Sequence, residues 1–233
     1  MNKQSNIYTI IYIVVLAGIV GAVLAMTSMS LRARQQANID ADKMRQILSA
    51  IRIVPEKDKI SQDFNKYIIS QLVVNANGDS IGNEAFDIDI ATESKVDANE
   101  RRLPVYVCNI DGSQRYVVPV YGAGLWGPIW GYISLNSDGS TIYGAYFAHE
   151  GETPGLGAEI EKSAFSDQFR GKELWKRGVF SPVNVLKKGM RPTSNEDYVD
   201  AISGGTITSK GVASMLDSGL TPYKAFFQSL TEK

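Results

Sequence analysis

The run Asp200-Ala201-Ile202-Ser203-Gly204-Gly205-Thr206-Ile207-Thr208-Ser209-Lys210 concentrates groups that bind or carry a phosphate. An apolar strand end gives way to two glycines, whose bare backbone lets a ligand approach the amides closely. The hydroxyls of Thr206, Thr208 and Ser209 then lead into a helix, expected from about Ser209, with Lys210 as a nearby cation. A helix amino terminus presents unpaired N–H groups and a partial positive charge, so an anion settles there. The plain alternative is a capped helix start, because serine and threonine are common caps with no ligand present. The pattern alone supports a phosphate site and identifies no ligand.

A second run, Gly151-Glu152-Thr153-Pro154-Gly155-Leu156-Gly157, follows directly on a strand. Pro154 and the glycines make a stiff turn whose amides can lie open to a ligand. Glu152 and Thr153 supply a polar edge and Leu156 an apolar surface, although an ordinary turn fits the same residues. His149, just before this run, reads as an exposed strand-end residue, with contact to a bound ligand as the alternative. Gly122-Ala123-Gly124-Leu125-Trp126-Gly127 matches the dinucleotide pattern G-x-G-x-x-G. A Rossmann site needs a helix to open there, with its amino terminus on the pyrophosphate. The strand-like Pro128-Ile129-Trp130-Gly131-Tyr132 follows instead, so the glycines read as a tight corner where backbone approaches something flat or bulky. Asp87, Asp89 and Glu93 lack the sixth-position glycine and twelfth-position acid of a calcium loop, and read as a solvated acidic face. The single cysteine, Cys108, and single histidine, His149, supply neither an internal disulfide nor the ligands of a zinc, iron–sulfur or multi-histidine centre. Cys108 reads as a buried strand residue. Redox chemistry in this chain therefore needs an organic cofactor or the centres of a partner.

The elements that must position these residues belong to a chain of 233 residues, 44% hydrophobic and 21% charged, enough for a membrane anchor and one domain. A net charge of −1 supplies no basic surface for nucleic acid. No charge occurs from Gln4 to Leu31, and Ile10 to Met26 is unbroken apolar sequence, with Tyr8 and Tyr12 toward one end. A span needs about 20 such residues, and aromatic side chains favour the interface. A cleaved signal peptide has a shorter apolar stretch and a better cleavage site than Ala25-Met26-Thr27-Ser28-Met29-Ser30. Arg32, Arg34, Lys43 and Arg45 after the span outnumber Lys3 before it, which on charge counting alone puts the domain in the cytoplasm. Leu31 to Ile53 reads as a continuing helix, with Ile39, Met44, Ile47, Leu48 and Ile51 at helical spacing and Pro55 ending it. It is either a stalk or a helix packed on the domain. Strands are expected at Ile68–Val74, Leu103–Cys108, Arg115–Val120, Ile129–Leu135, Ile142–Ala148 and Tyr198–Ile202. Asp111-Gly112 and Asp138-Gly139 serve as hairpin turns, and Ser163 as the cap of a short helix ending at Gly171. The fold class is α+β, an antiparallel sheet with flanking helices behind one transmembrane helix. The expected organisation is an anchor over residues 1–31, a stalk over 32–60 and a domain over 61–233.

Taken together, Gly-Glu-Thr-Pro-Gly-Leu-Gly (151–157) and Asp-x-x-Ser-Gly-Gly-Thr (200–206) resemble the motifs of the FMN-binding domain family whose flavin is covalently attached. The whole chain, with its amino-terminal span and the stretch from Tyr121 to Tyr132, resembles the C-subunit family of sodium-translocating NADH:quinone reductases. Leu125-Trp126-Gly127 separates it from the similar G-type subunits of the Rnf ferredoxin complexes. It departs from the family at Gly205, where alanine is commoner.

The resemblance implies that Thr206 carries FMN through a phosphoester, formed by a separate flavin transferase with FAD as donor. It places Ser203, Gly204, Gly205, Ile207 and Thr208 around the phosphate end, with Lys210 nearby. Glu152, Thr153, Leu156 and Gly157 approach the isoalloxazine, and Leu125 and Trp126 cover one face, with core packing as the alternative for Trp126. The implied role is an electron-transfer subunit of the reductase complex, inactive alone, relaying electrons from the NADH side toward quinone. Its partners are the other subunits, the transferase and the lipid bilayer. Ion translocation falls to other subunits, because the span carries no ionisable residue. Because the transferase acts outside the cytoplasmic membrane, the resemblance puts the domain in the periplasm, against the charge count. The rival readings are the Rnf counterpart, a membrane-anchored binding or sensing module without redox role, and a purely structural tethered domain.

Overall fold

The computed structural model describes residues 6–231; Lys3, which entered the orientation count, lies outside them. The first element, α1 (Asn6–Ala50), is one helix, and among the described residues it alone is long and apolar enough to cross a membrane. The chain divides into two compact units between Lys43 and Met44. In the second unit, Gln46, Ile47, Leu48 and Ala50 at the end of α1 are buried, as is Ile51 after it. Helix α2 (Ile60–Tyr67) then leads into strand β1 (Ile68–Val74), followed by β2 (Ser80–Gly82) and the short α3 (Ile90–Glu93). Strands β3 (Leu103–Ile110), β4 (Ser113–Ala123), β5 (Pro128–Asn136) and β6 (Ile142–His149) complete a six-stranded sheet in the order β2-β1-β3-β4-β5-β6. Every pair in it is antiparallel. Beyond the sheet come α4 (Ser163–Ser166), the two-residue strands β7 (Trp175–Lys176) and β8 (Val179–Phe180), and the parallel pair β9 (Asn184–Leu186) and β10 (Tyr198–Asp200). The carboxyl-terminal helices are α5 (Thr206–Leu220) and α6 (Lys224–Thr231).

The sheet is buried on both faces, and the strand alternation decides which side chain meets which layer. On β3, Leu103, Val105 and Val107 point into one cluster, while Tyr106, Cys108 and Ile110 point into the other. The second cluster includes Ile47, Leu48, Ala50, Ile51 and Phe64. The first is closed by α5 and α6. Val212, Met215, Leu216 and Leu220 of α5 recur at helical spacing and fill the cluster against β4. The contact is close because glycines face it. A Cβ on Gly122 of β4 would stand 2.7 Å from Met215 Cβ, and one on Gly219 of α5 would stand 2.9 Å from Val120 Cγ1. A Cβ on Gly211 would run into the Ala123 carbonyl oxygen.

Asp111 and Gly112 both adopt left-handed backbone, at φ 53° and 76°, as a two-residue primed hairpin turn requires. Cys108 is buried, and burial pushes its thiol up to about 12, so it is not a reactive thiolate. Four local expectations are corrected. Ser163 is the first residue of α4 rather than its cap, which falls at Lys162 without a side-chain bond. Strand β10 stops at Asp200, two residues short of the expected end, because Ile202 turns the chain. Helix α5 starts at Thr206, three residues before Ser209. Glu93 is not solvated: its buried carboxylate accepts both the backbone N–H and the guanidinium of Arg102.

Candidate functional site

Two turns of the same kind bring the two motif runs together. Pro154 and Gly155 occupy the centre of the Thr153–Leu156 turn, closed by the Leu156 N–H on the Thr153 carbonyl at 3.1 Å, with Gly155 at φ 76°. Ser203 and Gly204 occupy the centre of the Ile202–Gly205 turn, closed at 3.1 Å, with Gly204 at φ 76°. A left-handed third residue is what a type II turn demands, and glycine meets it without strain. The buried Ser209 hydroxyl accepts the Ile202 N–H at 3.0 Å, tying the second turn to the first turn of α5.

A third segment arrives from the sheet. The corner between β4 and β5 is closed by the Gly124 N–H on the Gly127 carbonyl at 2.8 Å and carries Leu125 and Trp126 at its tip. These three segments enclose a cavity of about 380 Å³ lined by Leu125, Trp126, Glu152, Thr153, Leu156, Gly157, Gly204, Gly205, Thr206, Ile207 and Thr208. Eleven of the residues singled out from the sequence therefore share one wall. Ser203 sits exposed in the neighbouring turn and Lys210 is exposed one turn further along α5; neither lines the cavity.

The hydroxyls of the second motif are not equivalent. Thr208 and Ser209 are each 1% exposed. Thr208 donates to Glu152 Oε2 at 2.5 Å, and Ser209 holds the Ile202 backbone. Thr206 is exposed at the first position of α5 and lines the cavity, and no group among the described residues bonds its hydroxyl. Gly205 caps the helix without a side chain, so the first N–H groups of α5 are not taken up by a cap. A Cβ on Gly205 would stand 3.1 Å from Ile202 Cγ2 and 3.3 Å from the Gly157 nitrogen, a fit that needs these neighbours to shift by a few tenths of an ångström.

Glu152 occupies the centre of the arrangement. Its carboxylate is buried, and besides Thr208 it accepts the Trp126 N–H at 2.9 Å on Oε1. Its own N–H donates to His149 Nδ1 at 3.1 Å. Burial works to raise the Glu152 pKa, but the hydrogen bonds from Thr208, Trp126 and Leu125, with His149 beside it, outweigh that and hold it below its ordinary value. His149 is thus corrected from an exposed strand end to a partly buried acceptor, with Nε2 facing Glu161 at 3.8 Å. No pattern in the sequence marks that role, because the bond is to backbone. The core-packing alternative for Trp126 is overturned as well, since it is 69% exposed.

Leu125, Trp126, Leu156 and Ile207 are all large apolar residues left exposed at the cavity. A flat apolar ring fits such a rim, and the helix start beside it suits a phosphate. The donor set fits FMN, with no acidic group other than Glu152 in the lining.

The geometry agrees with three comparisons. A family model described as the FMN-binding domain matches residues 124–221. The C subunit of the Na+-translocating NADH-quinone reductase of Vibrio vulnificus is 31% identical, over 93% of this chain and 92% of its own. The same subunit of Haemophilus ducreyi is 28% identical over 98% and 96%. Among solved structures, the C subunit of that reductase from Parabacteroides distasonis superposes with a TM-score of 0.80 at 47% identity, covering 84% of this chain and 96% of its own. NqrC of Shewanella oneidensis superposes with a TM-score of 0.71 at 25% identity, covering 84% and 100%.

Proposed function

Since this chain belongs to the C-subunit family of the Na+-translocating NADH-quinone reductase, we propose that it is the reductase subunit that holds FMN covalently on Thr206 and relays electrons within the membrane complex. The observation that carries the attachment point is the contrast among hydroxyls: Thr208 and Ser209 are buried and bonded, while Thr206 stands exposed at the uncapped helix start, on the cavity wall. Bound there, FMN supplies reversible one- and two-electron chemistry, and the protein supplies position and electrostatics.

Attachment needs a flavin transferase and FAD. Thr206 would be the acceptor hydroxyl: it would lose its proton as the FMN phosphoryl group is transferred to it from FAD, with AMP as the leaving group. The α5 amino terminus and the amides of the Gly204–Gly205 turn stabilise the resulting phosphodiester. Lys210, one turn along the same helix, adds a cation within reach of that end. Leu125, Trp126, Leu156 and Ile207, exposed at the cavity, would pack the ring and shield part of it from water. Covalent attachment keeps a partly exposed cofactor from diffusing away as it meets successive partners.

The apolar part of α1 is the membrane anchor, a single pass in the inner membrane, with the domain on the periplasmic side, where the transferase of this family acts. The other subunits of the reductase are its electron donors and acceptors, and the bilayer holds its span. The test is Thr206→Ala in the native host. The variant is expected to fold and to carry no flavin that survives denaturing electrophoresis, whereas flavin fluorescence retained on the denatured band would overturn the assignment.

A further inference from the structure

The cavity is made by three segments that are distant in sequence, and one side chain joins them. Glu152 lies in the 151–157 turn, takes the Trp126 N–H from the β4–β5 corner, and takes the Thr208 hydroxyl from the first turn of α5. Two glycines stand against it: a Cβ on Gly157 would overlap Glu152 Oε2 and the Thr208 hydroxyl, and one on Gly124 would overlap Glu152 Oε1. Both carboxylate oxygens are committed to hydrogen-bond partners at the edge of the cavity. A carboxylate so buried persists only because each oxygen is hydrogen-bonded.

We propose that Glu152 is a positioning residue with two separable roles, a clamp that keeps the Trp126 corner, the 151–157 turn and the start of α5 in register, and a fixed negative charge that lowers the reduction potential of the cofactor ring held in the cavity. The inference rests on the FMN reading of the site. The clamp follows from geometry: without the carboxylate, the Trp126 N–H and the Thr208 hydroxyl lose their shared acceptor, and Trp126, being exposed, has little packing to hold it. The charge role follows from place. Glu152 lines the same cavity as the rim residues that would hold the ring. A buried negative charge in surroundings of low dielectric opposes the negative charge that a ring gains on reduction.

Two variants separate the roles. Glu152→Gln keeps the side-chain shape, one oxygen to accept the Trp126 N–H and an amide N–H that can donate to a rotated Thr208 hydroxyl, but removes the charge, whereas Glu152→Ala removes charge and bonds together. Each full-length chain is co-expressed with the flavin transferase. Flavin per chain is read by intact mass, the rate of attachment from FAD is followed in vitro, and the midpoint potential is taken by equilibrium redox titration. Glu152→Gln is expected to titrate at a higher potential in the flavin it carries, and to attach flavin faster than Glu152→Ala. Glu152→Ala is expected to load at least about tenfold more slowly, the scale set by losing a buried hydrogen bond to a charged group. An unchanged potential in Glu152→Gln overturns the charge role, and attachment at the unsubstituted rate in Glu152→Ala overturns the clamp. Should Glu152→Ala fail to fold, Thr208→Val decides the clamp: it removes one bond while keeping the side-chain shape, and slow attachment supports the clamp while a normal rate overturns it. If the unsubstituted chain itself takes up no flavin, the FMN reading fails, an outcome distinct from either result.

Discussion

At the scale of single residues, the site depends on which polar groups are already engaged. Thr206, Thr208 and Ser209 are chemically alike, yet burial and hydrogen bonding leave one of them accessible at the helix start. The same network gives an acid sensitivity. The Glu152 carboxyl titrates below its ordinary value in the folded chain, whereas an unfolded glutamate titrates near about 4.3. A group with a depressed folded pKa contributes stability that is fully present above the unfolded pKa and is lost as pH falls through the folded one. In flavin-free protein, the stability gap between the unsubstituted chain and Glu152→Gln is therefore expected to be constant near neutrality and to shrink below about pH 4.3. Urea unfolding at neutral and acid pH measures it, and a gap that stays the same in acid contradicts the ionised carboxylate. None of this network was legible in the sequence: Glu152 and Thr208 lie 56 positions apart, and the residue types identify both as polar without saying that they meet.

At the scale of elements, the start of α5 is aimed by its packing on β4. Gly122, Gly211 and Gly219 leave no room for a Cβ across that contact, so the helix lies close against the strand that ends in the Trp126 corner. Gly211→Ala is expected to push α5 away from the Ala123 carbonyl, destabilising the fold by about 1–3 kcal/mol and loosening the cavity. Chemical denaturation and the yield of attached flavin check it together, and a variant with unchanged stability contradicts the close contact. The long strands of the sheet were legible because their side chains alternate between two buried layers or end at Asp-Gly turns. The start of α5 was read three residues late, because a Gly-Gly pair followed by threonines has low helix propensity and only tertiary contacts favour the helix there. Strands β2, β7, β8 and β9, of two or three residues each, are too short for any periodicity to show, whereas β10 was read two residues too long.

At the scale of the whole molecule, an apolar helix long enough to cross a membrane precedes a domain whose sheet is covered on both faces. The apolar run of α1 was plain from length and lack of charge, but sidedness was not: the charges flanking the span favour one side and the family resemblance the other. Lys187 and Lys188 stand exposed between β9 and β10 and offer trypsin sites. Trypsin added to intact spheroplasts is expected to cut the domain, and protection until the membrane is opened would place it in the cytoplasm. The covalent bond to Thr206 is decided by peptide mapping of chain purified from its native host. The peptide holding residues 200–210 is expected to be heavier by one FMN less one water, with fragmentation placing the added mass on Thr206. An unmodified 200–210 peptide, or the mass on Ser203 or Thr208, would contradict it.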